Sequence, residues 1–84
     1  MFELLVTKGF SSELKKFENI DVERIKKKLI LAAEQPQLFF ERLTGHDLFK
    51  LRVGKYRIIC QINFIQKKIT AITVAHRKKV YRKI

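Results

Sequence analysis

The stretch that most constrains the fold is residues 50–59, KLRVGKYRII, because its turn fixes how two strands pair. A glycine at the first position, as in Gly54-Lys55, suits a two-residue hairpin loop of type II′. The pairs that follow, counted outward from the turn, are Val53 with Tyr56, Arg52 with Arg57, Leu51 with Ile58 and Lys50 with Ile59. We therefore predict an antiparallel hairpin whose two faces differ in chemistry.

One predicted face of this hairpin is apolar and is assigned to the core: Phe49, Leu51, Val53, Tyr56, Ile58, Cys60 and Ile62. The other face carries Lys50, Arg52 and Arg57, and a shift of one residue would mix the two sets. Like charges directly opposite each other destabilise a sheet by a few tenths to about 1 kcal/mol. An anion between Arg52 and Arg57 would reverse that effect, and arginine suits phosphate because it donates two parallel hydrogen bonds. This face is interpreted as a phosphate-binding surface, the alternative being solvated arginines on an exposed sheet.

A third strand is predicted at residues 69–75, after a polar connection. Alternation assigns Ile72 and Val74 to the core face. The remaining positions of the strand are expected on the cationic face, together with Arg77 if the alternation continues: Ile69, Ala71, Thr73 and Ala75. Small alanine and threonine side chains would then form a shallow floor beside larger cationic side chains.

The first half of the chain predicts a short strand at residues 2–7 and two helices. Ser11 or Ser12 is expected to cap the first helix and Asp21 the second, which Pro36 ends by Gln35. Three consecutive strands follow, at residues 48–53, 56–64 and 69–75. The predicted fold is α+β with the order β-α-α-β-β-β, a mainly antiparallel twisted sheet and the helical hairpin on one face. Residues 1–84 are expected to form one domain.

The charge of the chain is strongly asymmetric. The 19 Lys and Arg and 8 Asp and Glu give a net charge of +11, yet residues 1–47 hold 8 of each sign and sum to zero. Residues 48–84 hold the other 11 bases and no acid. A field of one sign attracts polyanions such as nucleic acid or an acidic protein segment.

Several other classes of protein are disfavoured. The longest apolar run, Leu29–Ala33, is far shorter than the roughly 18 residues of a membrane span, so no membrane association is expected. A single cysteine and two isolated histidines provide neither a disulfide framework nor a zinc site. We expect no metal, no other cofactor and, because the N-terminus lacks the pattern of a signal peptide, a cytoplasmic location.

Three stretches together resemble a known family: RLTG at 42–45, LFKLRVGKYRII at 48–59 and VAHRKKVY at 74–81. Taken with the order of elements, the chain resembles the RelE/ParE superfamily of toxins from toxin–antitoxin systems, and in particular its RelE-like mRNA endoribonucleases. The resemblance implies a metal-independent enzyme that binds in the A site of the small ribosomal subunit. It would cut translated mRNA by attack of a 2′-hydroxyl on the adjacent phosphate, leaving a 2′,3′-cyclic phosphate and a 5′-hydroxyl.

The resemblance also implies roles for individual residues. Arg57 would stabilise charge on the phosphate, Arg77 would stabilise or protonate the leaving oxygen, Tyr81 would be the general base, and Lys50 would stabilise the base or the transition state. His76 is the alternative base, since imidazole titrates near neutral pH without help. Leu48 stands where some members carry a second lysine. Contacts to RNA or the ribosome are expected from six other cations of the basic half: Arg52, Lys55, Lys78, Lys79, Arg82 and Lys83.

Two other functions stay open from sequence. One is the ParE-like branch, which inhibits DNA gyrase and cuts no RNA, and the other is a non-catalytic basic module that binds RNA or the ribosome. For a toxin, the expected partners are the ribosome, mRNA and a cognate antitoxin. An acidic segment of the antitoxin would cover the basic face within a larger hetero-oligomer.

Overall fold

The computed structural model describes residues 1–43 and 47–76. Its elements in chain order are β1 (Glu3–Val6), α1 (Lys8–Leu14), α2 (Asn19–Glu34), α3 (Pro36–Phe39), β2 (Glu41–Arg42), β3 (Phe49–Val53), β4 (Tyr56–Asn63) and β5 (Lys68–His76). The strands form one sheet in the order β1-β5-β4-β3-β2. Every neighbouring pair is antiparallel except β1 with β5, which is parallel. The predicted α+β class is confirmed, and the short α3 and β2 are additions to the predicted order.

The β3–β4 hairpin has the predicted register. Val53 pairs with Tyr56, and Arg52 pairs with Arg57. Gly54 has a φ of 58°, whereas Lys55 does not have a positive φ, as a type II′ loop requires. The turn residue therefore set the pairing of these two strands as the sequence indicated.

Both helices begin earlier than predicted. The N-cap of α1 is Thr7, whose hydroxyl accepts a hydrogen bond from the backbone N–H of Phe10 at 3.1 Å, so the assignment of Ser11 or Ser12 as the cap is wrong. The N-cap of α2 is Glu18, and Asp21 lies in the first turn instead. The end of α2 at Glu34 agrees with the prediction, because Pro36 cannot continue that helix.

The core lies between the two longer helices and one face of the sheet, which we call the core face. The helices contribute Phe10, Ile25, Leu29, Ala32 and Ala33 to the buried cluster. The sheet contributes Leu51, Val53, Ile58, Cys60, Ile69, Ala71 and Val74. The predicted core positions of β3 and β4 are confirmed, with Phe49, Tyr56 and Ile62 partly buried around them. The opposite side of the sheet is called the open face.

The prediction for β5 is wrong in its first half. Ile59 of β4 pairs with Thr73, whereas Cys60 pairs with Ala71, so one residue of β5, Ile72, is left over as a bulge. Because of this extra residue, the side chains of β5 that precede Ile72 point to the opposite face from the one predicted. Ile69 and Ala71 are consequently fully buried in the core instead of lying on the open face, and Ile72 is only partly buried and lies outside the core cluster.

Helix α1 takes the place of a neighbouring strand beside the second half of β5. The β1–β5 pairing ends at Val6 and Ala71. Beyond it, the Thr7 hydroxyl donates to the carbonyl of Ile72 at 3.0 Å. A carboxylate oxygen of Glu13 accepts from the backbone N–H of Val74 at 3.2 Å and from the Thr73 hydroxyl at 2.7 Å. Two side chains thus satisfy backbone groups at the edge of β5 that a strand would otherwise pair.

Among the described residues, no helix has the length and apolar content needed to cross a membrane.

Candidate functional site

Arg57 is the buried cation of the open face. It is the second residue of β4, and its register partners are Arg52 in β3 and Ala75 in β5. Arg57 is only 8% exposed, whereas Arg52 is exposed. A buried side chain has lost most of its rotamer freedom, so the guanidinium is held in place before any anion arrives. The prediction that Arg52 and Arg57 lie side by side is confirmed, but Arg57 is not a solvated surface arginine.

Lys50 lies on the same face and has a partner that sequence reasoning missed. Its Nζ lies 3.2 Å from a carboxylate oxygen of Glu41, which is directly opposite it in β2. The lysine side chain is 24% exposed and the glutamate side chain 76%. Because β2 has only two residues, its alternation carries no signal, and the pairing of Glu41 with Lys50 was not visible in the sequence. The structure therefore places the acid Glu41 beside the cationic side chains of the open face.

A small apolar cluster divides the open face into two parts. Ile59 is 1% exposed and packs against Leu43 and Leu48, which belong to the connection between β2 and β3. Arg52 and Arg57 lie between this cluster and the β3–β4 turn, and Lys50 lies level with Ile59 as its register partner; we call these three cations the cationic end. On the other side the face carries uncharged polar residues of β4 such as Gln61.

The β3–β4 turn is fastened to the helical hairpin. The Tyr56 hydroxyl donates to a carboxylate oxygen of Asp21 at 3.0 Å, and the centre of the Tyr56 ring lies 4.7 Å from the centre of the Phe17 ring. Burial and then the hydrogen bond to Asp21 raise the pKa of Tyr56 above its usual value. Lys55 is exposed, with its Nζ 5.6 Å from the centre of the Tyr56 ring. These contacts fix the turn that precedes Arg57.

The other predicted site residues lie outside the described part of the chain: Arg77, Lys78, Lys79, Tyr81, Arg82 and Lys83. The backbone of His76 is the last of β5 and pairs with Tyr56, while its side chain is not described. Strand β5 therefore ends one residue after Ala75, the partner of Arg57. The proposed roles of the residues that follow stay predictions.

The cationic end has the chemistry of a phosphate site. Two guanidinium groups and one ammonium group lie on adjacent positions of two strands, and arginine pairs bind phosphate oxygens through paired N–H donors. Among the side chains described, those of residues 1–43 and 47–74, no group of three histidine, cysteine or acidic residues is placed to hold a metal ion. The described part of the site thus offers fixed positive charge as its means of acting on a phosphate.

Comparison with protein families gives one match over most of the chain. A family model described as the ParE toxin of the type II toxin–antitoxin system parDE matches residues 4–81. No curated protein sequence matches the chain.

Solved structures give the same fold. The chain is similar to one in the RelB–RelE antitoxin–toxin complex from Methanococcus jannaschii, with 27% identity, a TM-score of 0.73 and coverage of 95% of this chain and 98% of that one. It is 26% identical to a chain of the intact Escherichia coli RelBE complex, with a TM-score of 0.75 and coverage of 90% and 96%. The RelBE complex from Mycobacterium tuberculosis gives a TM-score of 0.81 at 18% identity, with coverage of 90% and 98%.

Proposed function

Because the chain belongs to the ParE family of toxins from type II toxin–antitoxin systems, we propose that it acts on translated mRNA as a ribosome-dependent endoribonuclease. The observation that carries this proposal is the position of Arg57. Its side chain is 8% exposed, yet it belongs to the open face and lies opposite a second arginine. Like charges directly opposite each other in a sheet repel, and an anion bound between two arginines turns that repulsion into attraction. A strand of RNA provides that anion at every phosphate.

The proposed reaction needs no covalent intermediate with the protein. A base removes the proton of a 2′-hydroxyl, the 2′-oxygen bonds to the adjacent phosphorus, and the bond from phosphorus to the 5′-oxygen breaks. The leaving 5′-oxygen takes up a proton. The products are a 2′,3′-cyclic phosphate and a 5′-hydroxyl, and the negative charge that develops on the phosphate oxygens is what fixed cations stabilise.

We assign Arg57 to the phosphate oxygens and Lys50 to the transition state or to the deprotonated base. The cation that stabilises or protonates the leaving oxygen is proposed to be Arg77, and Tyr81 is proposed as the base, with His76 as the alternative. A tyrosine has an ordinary pKa near 10, so it acts as a base at neutral pH only where cations favour the phenolate. The remaining predicted contacts to RNA and the ribosome are Arg52, Lys55, Lys78, Lys79, Arg82 and Lys83.

Inhibition of DNA gyrase is the second candidate function, and the description of the matching family model as a ParE toxin favours it. The two functions make different demands on the open face. Cleavage of RNA needs a preorganised cation at the phosphate, whereas inhibition of another protein needs only a complementary surface. The buried position of Arg57 is the reason we favour cleavage.

Translation of a defined mRNA in vitro, followed by primer extension, tests the proposal. We expect cuts in phase with codons, only when ribosomes are present. Uncut mRNA with undisturbed translation, together with inhibition of gyrase supercoiling, would establish the second candidate instead. Translation that stops without cuts would identify a non-catalytic ribosome-binding module. In the same assay, Tyr81→Phe should cut at least about tenfold less, and His76→Ala should lose less, if Tyr81 is the base.

We also propose a cognate antitoxin as the partner that silences the toxin in the cytoplasm, within a larger hetero-oligomer. The structures described above from Methanococcus jannaschii and Escherichia coli are complexes of a toxin with its antitoxin. An acidic antitoxin segment would be drawn to a chain of net charge +11. Association should then slow steeply as salt rises, because exposed charges are screened beyond about 8 Å at physiological ionic strength. An association rate independent of salt would contradict an electrostatic contact.

A further inference from the structure

A second part of the open face forms an open hollow at the far end of strands β4 and β5. Its volume is about 570 Å³, within the range of about 300–1,000 Å³ that is usual for small-molecule sites. The polar side chains that line it are Asp47, Gln61, Asn63, Gln66, Lys68 and Thr70. Gln61 pairs with Thr70 across the two strands, and Asn63 pairs with Lys68.

The chemistry of this hollow differs from that of the cationic end. The lining combines one lysine, one aspartate that is paired with Arg42 at 3.0 Å, three amides and a hydroxyl. With a single lysine, this lining offers a phosphate fewer cations than the cationic end does. Amides instead present a donor and an acceptor side by side, as the edge of a nucleobase does, and a carboxylate accepts from an exocyclic amino group.

Two features hold the hollow in one shape. The side-chain oxygen of Asn63 accepts hydrogen bonds from the backbone N–H groups of Ile65 and Gln66, at 3.1 and 2.9 Å. This arrangement fixes the amide and orients its NH₂ group away from the turn. The turn is also held from the core side, where the ring of Phe64 meets Phe2 and Phe49, both packed against the core, edge to face with ring centres 5.8 and 5.9 Å apart. The groups that this part of the open face offers to an unstacked RNA base are therefore the amides.

We propose that this hollow binds the base of a nucleotide neighbouring the one whose phosphate lies at the cationic end. The inference rests on the proposed function for the presence of RNA on this face. Gln61 follows Arg57 by four positions in β4, or about 13 Å at 3.3 Å per residue, so one nucleotide does not reach both. The cluster of Ile59 and Leu43 lies between the two parts. The cationic end thus holds the backbone, and the hollow discriminates among bases.

The test compares Gln61→Ala with Gln37→Ala, which makes the same change at an exposed site on α3. Primer extension on ribosomes carrying mRNA with all sense codons gives the relative cutting at each codon. We expect Gln61→Ala to change the ratio between preferred and disfavoured codons by about three- to tenfold, the effect of one hydrogen bond to a base edge. Gln37→Ala should leave that ratio unchanged. Relative cutting at each codon that is the same in Gln61→Ala as in the wild type would overturn the proposal.

A second measurement separates this inference from the proposed function. Trinucleotides of defined sequence are titrated into the Arg57→Ala protein, and the side-chain NH₂ signals of Gln61 and Asn63 are followed by NMR. We expect these signals to move, by amounts that depend on the base. If the wild-type protein cuts no RNA on ribosomes while the signals move, the proposed function fails and the base site stands. If the signals stay in place at saturating trinucleotide, the base site fails.

Discussion

The two faces of the sheet bury their residues for different reasons. On the core face, Leu51, Ile58 and Cys60 are at most 1% exposed and belong to the apolar cluster. On the open face, Arg57 is nearly as buried, but its register partner in β3 is another arginine. The first arrangement stabilises the fold through apolar burial, whereas the second holds two like charges next to each other. We interpret this difference as the mark of a ligand site at the cationic end.

The largest effect should come from Arg57→Ala, measured as cleavage of ribosome-bound mRNA. Removing one preorganised charge from a phosphoryl transition state should lower the rate by about 10² to 10³. Stability measured by denaturant unfolding should fall modestly, since the loss of the buried contacts of Arg57 outweighs the relief of its repulsion from Arg52. Arg24→Ala, at an exposed position on α2, is the control and should retain activity. Cleavage near the wild-type rate by Arg57→Ala would exclude this residue from the mechanism.

Ile58 and Ile59 offer a matched comparison of the two faces, because they are adjacent and are 0% and 1% exposed. Ile58 belongs to the main core, while Ile59 belongs to the small cluster with Leu43 and Leu48. Truncation of a buried isoleucine to alanine costs about 2–5 kcal/mol. We expect Ile58→Ala to fall in the upper half of that range and Ile59→Ala near its lower end, since the small cluster collapses more easily. Equal losses in urea unfolding would show that both faces are packed alike.

Stability at high pH should report on the core face, to which both Cys60 and Tyr56 belong. Burial raises the pKa of the Cys60 thiol to about 12. The folded protein therefore favours the protonated thiol, so this contribution is complete below the ordinary pKa of 9 and is lost as the pH rises towards 12. Tyr56, whose pKa is also raised, acts in the same direction above pH 10. The free energy of unfolding, measured from about pH 8 to pH 11, should fall less steeply in Cys60→Ala than in the wild type.

The smallest effect on stability is expected for Glu41→Gln. The pair with Lys50 spans 3.2 Å, but the glutamate side chain is 76% exposed, and pairs of this kind contribute at most about 1 kcal/mol. On the open face, however, the substitution removes a negative charge beside the cationic end. Affinity for ribosome-bound RNA should rise, most clearly at low salt. Glu23→Gln, which removes an exposed negative charge from α2 instead, is the control. Weaker binding by Glu41→Gln would show that the glutamate positions Lys50 for its ligand.

The parts of the fold that followed from sequence were those with a strong local signal. The Gly54-Lys55 turn and the alternation around it determined the register of β3 and β4 and brought Arg52 and Arg57 together. The bulge at Ile72 had no such signal, because it arises where β5 passes from its pairing with β1 to contacts with α1. The pairing of Lys50 with Glu41 also had no signal in the sequence, since a strand of two residues is too short to show alternation and is defined only by its neighbour.

The parallel pairing of β1 with β5 has a consequence for the order in which the protein folds. Glu3 pairs with Lys68 and Val6 with Ala71, so β1 joins the sheet only after β5 has formed. Contacts between residues so distant in sequence form slowly, because a long loop has to close before they form. During synthesis, the exposed edge of β4 and the apolar residues of β1 therefore stay without their partners until residues 68–71 have emerged. The sheet that supports Arg57 is therefore complete only after residues 68–71 have left the ribosome, and the site does not exist before then.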